Sequence, residues 1–211
     1  NSVGKARSSE FVKPLSIQYR MNPAIAAIPN KLFYGDILQS GDNTKTRVLS
    51  DQWVQDQPLF LVDTSEGAPW MNRGPNGQSR CNLYHATLAA AMAQDYLANE
   101  TQDGKEITVG VVVPYRSQKD LINDILDESL GKNSPARKRI EVNTVHSFQG
   151  GEKDVIICDS VESEGKDAKW FFFDDGSRNN HSAPLMLNVA VTRAKSKFIL
   201  LANVKFVQQN F

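Results

Sequence analysis

Three short segments hold side chains that could do chemistry together. In Gln18-Tyr19-Arg20-Met21-Asn22-Pro23 an aromatic ring stands beside an arginine where a short extended run meets a helix start. Such a ring can stack on a nucleotide base, and the planar guanidinium fork can hold phosphate oxygens. The plainer alternative is an arginine that only stacks on its tyrosine neighbour. In Val142-Asn143-Thr144-Val145-His146-Ser147-Phe148-Gln149-Gly150-Gly151-Glu152-Lys153-Asp154, polar donors precede two adjacent glycines and an apolar run. Glycines allow a ligand close to the backbone, and Thr144, His146 and Ser147 could meet a phosphodiester chain at a strand end. A structural His146 and a surface charge cluster at Glu152-Lys153-Asp154 are the competing readings. In Leu187-Asn188-Val189-Ala190-Val191-Thr192-Arg193-Ala194-Lys195 the residues Leu187, Val191 and Ala194 keep helical spacing. That sets Arg193 and Lys195 near a helix C-terminus, where complementing the dipole is already a sufficient reason for a cation.

The elements that must carry these segments read as alternating strands and helices. Leu59-Phe60-Leu61-Val62, residues 107–113 ending at Pro114, Val155-Ile156-Ile157-Cys158 and Phe198-Ile199-Leu200-Leu201 are near-continuous apolar runs. Continuous rather than alternating hydrophobicity marks strands buried on both faces. Residues 140–145 alternate and predict a further strand. Asn82 is the expected N-cap of a helix reaching Leu97, and Ser117 that of a helix over 118–130. Pro23 suits the first turn of a helix ending near Phe33. The alternation predicts an α/β fold with a mostly parallel sheet, whose ligands are expected at the carboxyl ends of its strands. Residues 41–76 and 162–184 read as irregular and are expected to form mobile loops.

The chain has 211 residues, with 24 Lys+Arg balanced by 24 Asp+Glu. That length suits one domain, and zero net charge supplies no global attraction to nucleic acid, so binding there needs a local patch. Arg137-Lys138-Arg139 is one candidate patch, with a solvated loop as the alternative. Cys81 and Cys158, far apart in sequence, suit neither a structural disulfide nor a thiolate zinc site and are expected reduced, as in an intracellular protein. No stretch has the length of a membrane span and the start has no signal-peptide pattern. Residues 1–13 are expected to be a linker or a cloning remnant, and residues 14–211 the folded domain.

Taken in order, these segments resemble the later motifs of superfamily 1 nucleic-acid helicases, in the branch that includes the nonsense-mediated-decay helicase. Gln18-Tyr19-Arg20-Met21-x-Pro23 is similar to motif IV, and Pro114-Tyr115-Arg116-x-Gln118 to the motif after the next strand. Thr144-x-His146-x-x-Gln149-Gly150-x-Glu152-x-Asp154 resembles motif V, and residues 187–195 resemble motif VI. The resemblance implies a RecA-like (P-loop NTPase-type) three-layer sandwich, the second of two such domains that clamp ATP between them. By resemblance, Tyr19 stacks on adenine, and Arg20 and Arg193 are arginine fingers for the γ-phosphate. Gln149, Gly150 and Glu152 match nucleotide-side positions. Pro114, Tyr115, Arg116, Thr144 and His146 match positions touching the nucleic-acid backbone. The implied partners are single-stranded DNA or RNA and the first RecA-like domain of the same polypeptide, with no membrane and a monomer expected.

Several parts are missing from the sequence. No G-x-x-x-x-G-K-[ST] loop and no paired Mg²⁺-binding acids are found. The chain is therefore expected to be cut at a domain boundary, with ATP and Mg²⁺ used by the full-length protein, neither expected on this chain alone, and no hydrolysis by it. Departures from the family are His85, where many relatives carry an acid, and the insertion at 166–181 with Trp170-Phe171-Phe172-Phe173. The competing reading is a nucleic-acid-binding or scaffolding module with a degenerate motor. A third is a metal-dependent nuclease, in which Asp154 and Asp159 flank a strand near Glu164-Gly165-Lys166.

Overall fold

A computed structural model describes residues 16–51, 54–74, 77, 79–98, 104–148, 151–166 and 182–210. The expected linker, Gln149, Gly150 and the aromatic run at 170–173 lie outside the described residues.

The apolar runs form the strands β3 (Leu59–Asp63), β6 (Val109–Val113), β8 (Lys153–Asp159) and β9 (Ala194–Ala202), and the alternating run forms β7 (Ile140–Thr144). They make one five-stranded sheet in the order β3-β9-β8-β6-β7. Every pairing in it is parallel, for example Val111 with Val142 and Ile157. Two small ribbons flank it: β1 (Ile17–Gln18) with β2 (Gln39–Ser40), and β4 (Met71–Arg73) with β5 (Arg80–Asn82).

Period-2 strands send alternate side chains to opposite faces, and both faces of the central strands are covered; β3, expected to be buried on both faces, is instead an edge strand that leaves Phe60 and Leu61 exposed. On one side, Val109, Val111, Val155, Ile157, Ile199 and Leu201 pack against α3 (Leu83–Tyr96) and α4 (Arg116–Leu130). On the other, Val112, Ile156, Cys158 and Phe198 meet α1 (Pro23–Pro29) and α6 (Ser182–Val191). The result is the three-layer, RecA-like sandwich expected from the sequence. Cys158 is fully buried at the sheet centre, where burial and then the neighbouring Asp159 charge push its thiol pKa well up. Cys81 is half-buried, and both thiols are free.

The shorter helices are α2 (Asp42–Lys45), α5 (Pro135–Lys138) and α7 (Val204–Asn210). Asn82 caps α3 as expected, its side chain accepting from His85 N, and Pro23 opens α1. Two boundaries differ. The helix expected over 118–130 with Ser117 as its cap begins two residues earlier at Arg116, because Tyr115 holds the extended cap position. Near Pro29, α1 gives way to a π-helical turn over Asn30–Tyr34 that ends at Gly35 with φ +60°. The stretch 41–76, expected to be irregular around the one short strand at 59–62, holds α2 and β4 as well as β3. Among the described residues no helix is long and apolar enough to cross a membrane.

Parallel β7 and β8 both pair with β6, so the connection through residues 145–152 returns from the carboxyl edge of the sheet to its amino edge. Phe148, 1% exposed, anchors that connection on the sheet. Gly110 on β6 makes room for it: a Cβ there would stand 2.7 Å from the ring tip of Phe148 and 2.6 Å from Ile156 Cδ1.

Candidate functional site

The candidate residues divide between the two edges of the sheet. Glu152 immediately precedes β8 and Arg193 immediately precedes β9, so both stand at the amino edge. The expectation that ligand-facing groups gather at the carboxyl ends is thus corrected for this half of the site. The reason is topological: both segments are the incoming connections of parallel strands.

Arg20 is brought to the same edge by the turn between β1 and α1. Gln18 builds that turn, its Oε1 accepting from the backbone N of Arg20 at 2.9 Å and of Met21 at 2.8 Å. Asn22 N then donates to Lys195 O at 2.7 Å, docking the turn onto the start of β9. Arg20 Nη1 donates to Thr192 O at 3.1 Å, and its Nε pairs with Glu152 Oε2 at 2.9 Å. Glu152 Oε1 also faces Lys195 Nζ at 3.3 Å, and Lys195 lies 3.8 Å from Asp154. Asp154 is itself fixed by Thr108, whose N and Oγ1 donate to its Oδ2 at 2.9 and 2.6 Å. Sequence reading placed Lys195 on a helix; it is on β9, in an ion-paired row.

Partial burial works to raise the Glu152 pKa, but Lys195 and then Arg20 outweigh it and hold it below the usual carboxylate range. A depressed acid keeps its native pairing above its unfolded pKa and loses it only as pH falls through the lower folded value. The Arg20–Glu152 pair is therefore expected to survive mild acid. In a carbon-13 titration of the carboxyl groups, the Glu152 midpoint should lie below that of exposed glutamates; a midpoint at or above theirs contradicts the pairing.

Arg193 sits in the turn from α6 to β9, with Lys153 N donating to Arg193 O at 3.0 Å. Among the described residues its Nε is buried with no hydrogen-bond partner, and so is Asn188 Oδ1, although buried polar atoms are nearly always satisfied. Tyr19 is 60% exposed and its ring lies against Gly41, beside a shallow cleft lined by Ile17, Gln39, Asp42 and Asn43.

The other candidates belong to the carboxyl edge. Thr144 ends β7, its Oγ1 donating to Ser147 Oγ at 3.1 Å, and His146 is exposed. Arg116 is exposed at the first position of α4, whereas Pro114 is buried. The Tyr115 hydroxyl donates to Glu162, which also pairs with Arg80 at 3.0 Å. Burial first, then the Glu162 charge, push the phenol pKa far up. Tyr115 therefore acts within the domain as an anchor beneath Arg116.

Two groups of residues were not anticipated. His85 Nδ1 lies 2.8 Å from Asp159 and its Nε2 lies 2.8 Å from Thr64, while Gln118 Nε2 donates to Asp159 at 2.7 Å. All four are buried, so they tie α3, α4, β8 and the end of β3 together. His85 was noted only as a departure from an acid; its partner Asp159, on an apolar strand, was the available signal. The second group, Lys197 with Asp51, is taken up below.

The acids on which the nuclease alternative rested are not brought together. Asp154 begins β8 and Asp159 ends it, on opposite edges and each bound to other partners. Among the described residues no group of His, Cys, Asp and Glu is placed to hold a metal ion. Nor is the basic run a free patch: Arg137 binds Asp127 at 2.6 Å and Ile140 O at 2.8 Å, and Arg139 pairs with Glu106 at 3.2 Å.

Residues 3–205 match a family model described as AAA domain. The chain is 31% identical over 191 residues to "Helicase sen1" of Schizosaccharomyces pombe, covering 90% of this chain and 11% of that protein. It is 29% identical over 199 residues to "ATP-dependent helicase upf1" of the same yeast, covering 93% and 20%. It is 29% identical over 206 residues to "ATP-dependent helicase NAM7" of Saccharomyces cerevisiae, covering 93% and 19%. The chain thus spans about a tenth to a fifth of the length of these relatives. A solved C-terminal domain of a possible DNA helicase from Lactobacillus plantarum aligns over 88% of this chain at 12% identity with a TM-score of 0.40, too loose a likeness to add weight.

Proposed function

Given that this chain belongs to the AAA_12 family of AAA domains, typical of the C-terminal part of Upf1/Sen1-like helicases, we propose that it is the second motor domain of an ATP-dependent nucleic-acid helicase. One observation carries the reading. Three segments remote in sequence bring Arg20, Glu152 and Arg193 to a single edge, and there the Arg193 Nε is buried without an acceptor among the described residues.

ATP would lie against this edge, held on its other side by a first RecA-like domain. Tyr19 stacks on the base. Arg20 and Arg193 direct positive charge at the γ-phosphate and stabilise the charge that develops as it transfers. Gln149 and Gly150, together with Glu152, are read as nucleotide-side residues from their match to the helicase motif. The donor set here is cationic and suits phosphate rather than metal. Mg²⁺, which neutralises phosphate charge when bound, would be held with the phosphates by acids of the first domain. This domain by itself would not turn ATP over. The protein so read works inside the cell as a monomer.

At the carboxyl edge Thr144, His146 and Arg116 grip the backbone of a single strand, with Pro114 and Tyr115 supporting Arg116 from below. The connection through residues 145–152 joins the two edges, so closure on nucleotide and grip on the strand move together. Replacing Arg116 by alanine in the full-length protein tests this half of the reading. Each lost phosphate contact should reduce the slope of log affinity against log salt by about 0.7 for a single strand. A weaker complex with a shallower slope is expected; an unchanged slope takes Arg116 off the backbone track.

A further inference from the structure

Beyond the residues already considered, the carboxyl edge carries a large exposed aromatic side chain, Trp70, with a built seat. Trp70, just before β4, is 60% exposed. Its backbone bridges Glu164, and Met71 N donates to Glu164 O at 2.8 Å. Gly165 supports the indole. A Cβ there would stand 2.7 Å from both Cε2 and Nε1, and its φ of +101° is one that side-chain-bearing residues rarely adopt. The ring is thus seated on bare backbone while much of its surface faces solvent. The acid beside Gly165 is turned aside, Glu164 Oε2 accepting from Ser163 Oγ at 2.9 Å and Asn203 Nδ2 at 2.8 Å.

The ribbon that follows Trp70 docks on the start of α4. Ser117 N donates to Ser79 Oγ at 3.0 Å, and a Cβ on Gly74 would meet Ser117 Oγ at 2.1 Å. Arg80 of the same ribbon pairs with Glu162 and lies 5.9 Å from the Tyr115 ring centroid, beneath Arg116. Arg73, Arg116 and Lys166 are exposed around the ribbon. The acids beyond it are engaged locally, Asp63 with Ser65 and Glu66 with Lys205.

We propose that Trp70 is a stacking platform for a base of the single strand, extending the backbone track one step beyond Arg116. The proposal rests on the carboxyl edge being the strand-facing one. An indole already fixed on one side loses little freedom on binding, and every base offers it a π face, so the contact tolerates any sequence. Cations around a ring supply the backbone attraction that a flat apolar contact lacks.

The test uses the full-length protein and a labelled single-stranded homopolymer, oligo-dT or oligo-U, over a salt series. Trp70→Ala should weaken binding by roughly 5- to 150-fold, the range expected for loss of one base stack, with the salt slope unchanged. Trp70→Phe, which keeps an aromatic face, should restore most of the affinity. Arg116→Ala run alongside should change the slope. If Trp70→Ala binds like the parent while Arg116→Ala is weakened, the platform is overturned and the strand-facing edge stands. If neither variant weakens, both readings fall. A Trp70→Ala loss that Trp70→Phe does not relieve also overturns stacking. So does a Trp70→Ala loss that comes with a lowered unfolding midpoint and that Trp70→Phe relieves only by restoring that midpoint. A Trp70 that docks a protein instead predicts unchanged homopolymer binding for both of its variants.

Discussion

Replacing Arg193 by alanine in the full-length protein is expected to lower kcat for ATP hydrolysis by about 10³ to 10⁵, the range typical of an arginine finger. The argument begins with position. Arg193 lies between the last turn of α6 and the first residue of β9, on a backbone fixed by Thr192 N to Asn188 O at 3.0 Å and by Arg193 N to Ala190 O at 3.2 Å. A group held this firmly needs no reorganisation when charge develops on a transferring phosphoryl group, and that preorganisation is the source of the rate effect. Its Nε donates to nothing among the described residues, so removing it breaks no internal hydrogen bond at that atom. The unfolding midpoint should therefore move little while turnover collapses. Lysine should rescue poorly, because an ammonium is a point charge without the planar fork. Turnover within a few-fold of the parent enzyme would remove Arg193 from the reaction, and a large loss of stability in the same variant would make its role structural.

The second large effect concerns stability. Lys197 is fully buried in the middle of β9, where its Nζ contacts Asp51 and donates to Gln55 O at 2.8 Å. Tyr96 completes the group, its hydroxyl donating to Asp51 Oδ2 at 2.7 Å and its ring centroid 5.9 Å from the ammonium. Burial and then Asp51 raise the phenol pKa, so Tyr96 stays a donor. Asp51→Ala leaves a cation buried against an apolar layer and should cost about 3–5 kcal/mol. Replacing both partners together, Asp51→Leu with Lys197→Met, should be near neutral or stabilising by about 1–4 kcal/mol, since desolvating two charges is what the native pair must offset. Urea unfolding of the domain measures both. A loss below about 1 kcal/mol for Asp51→Ala would mean that water reaches Lys197 once the aspartate is gone.

The contrast between these two arginine and lysine sites shows what could be read from sequence. Strands β6, β8 and β9 were legible because burial on both faces removes the polar alternation that blurs a strand signal; β3 was read the same way, yet it is an edge strand whose Phe60 and Leu61 are exposed. Arg20 and Arg193 stood out through the resemblance of their segments to helicase motifs; taken alone, each had a plainer reading, stacking on Tyr19 for the one and complementing a helix dipole for the other. The division of the site between two edges was not legible. It follows from strand direction and from the passage of residues 145–152 across the sheet, and neither leaves a local composition signal. Lys197 was hidden for the same reason. Between Ser196 and Phe198 it reads as an ordinary alternating residue, and only the return of residues 49–57 over α3 and β9 encloses it. Tyr115 was assigned to the nucleic-acid side by resemblance; the partner of its hydroxyl, Glu162, is 47 residues away and left no local signal.

Cys158 gives the domain an internal clock. A thiol must ionise and be reached before it reacts, and this one can do neither while β6, β8 and β9 stay together. Its alkylation rate in excess reagent therefore counts openings of the central sheet, whereas half-buried Cys81, on the ribbon behind Trp70, reports motion at the carboxyl edge. Two cysteines that hold nothing together chemically thus time two different layers of the same molecule.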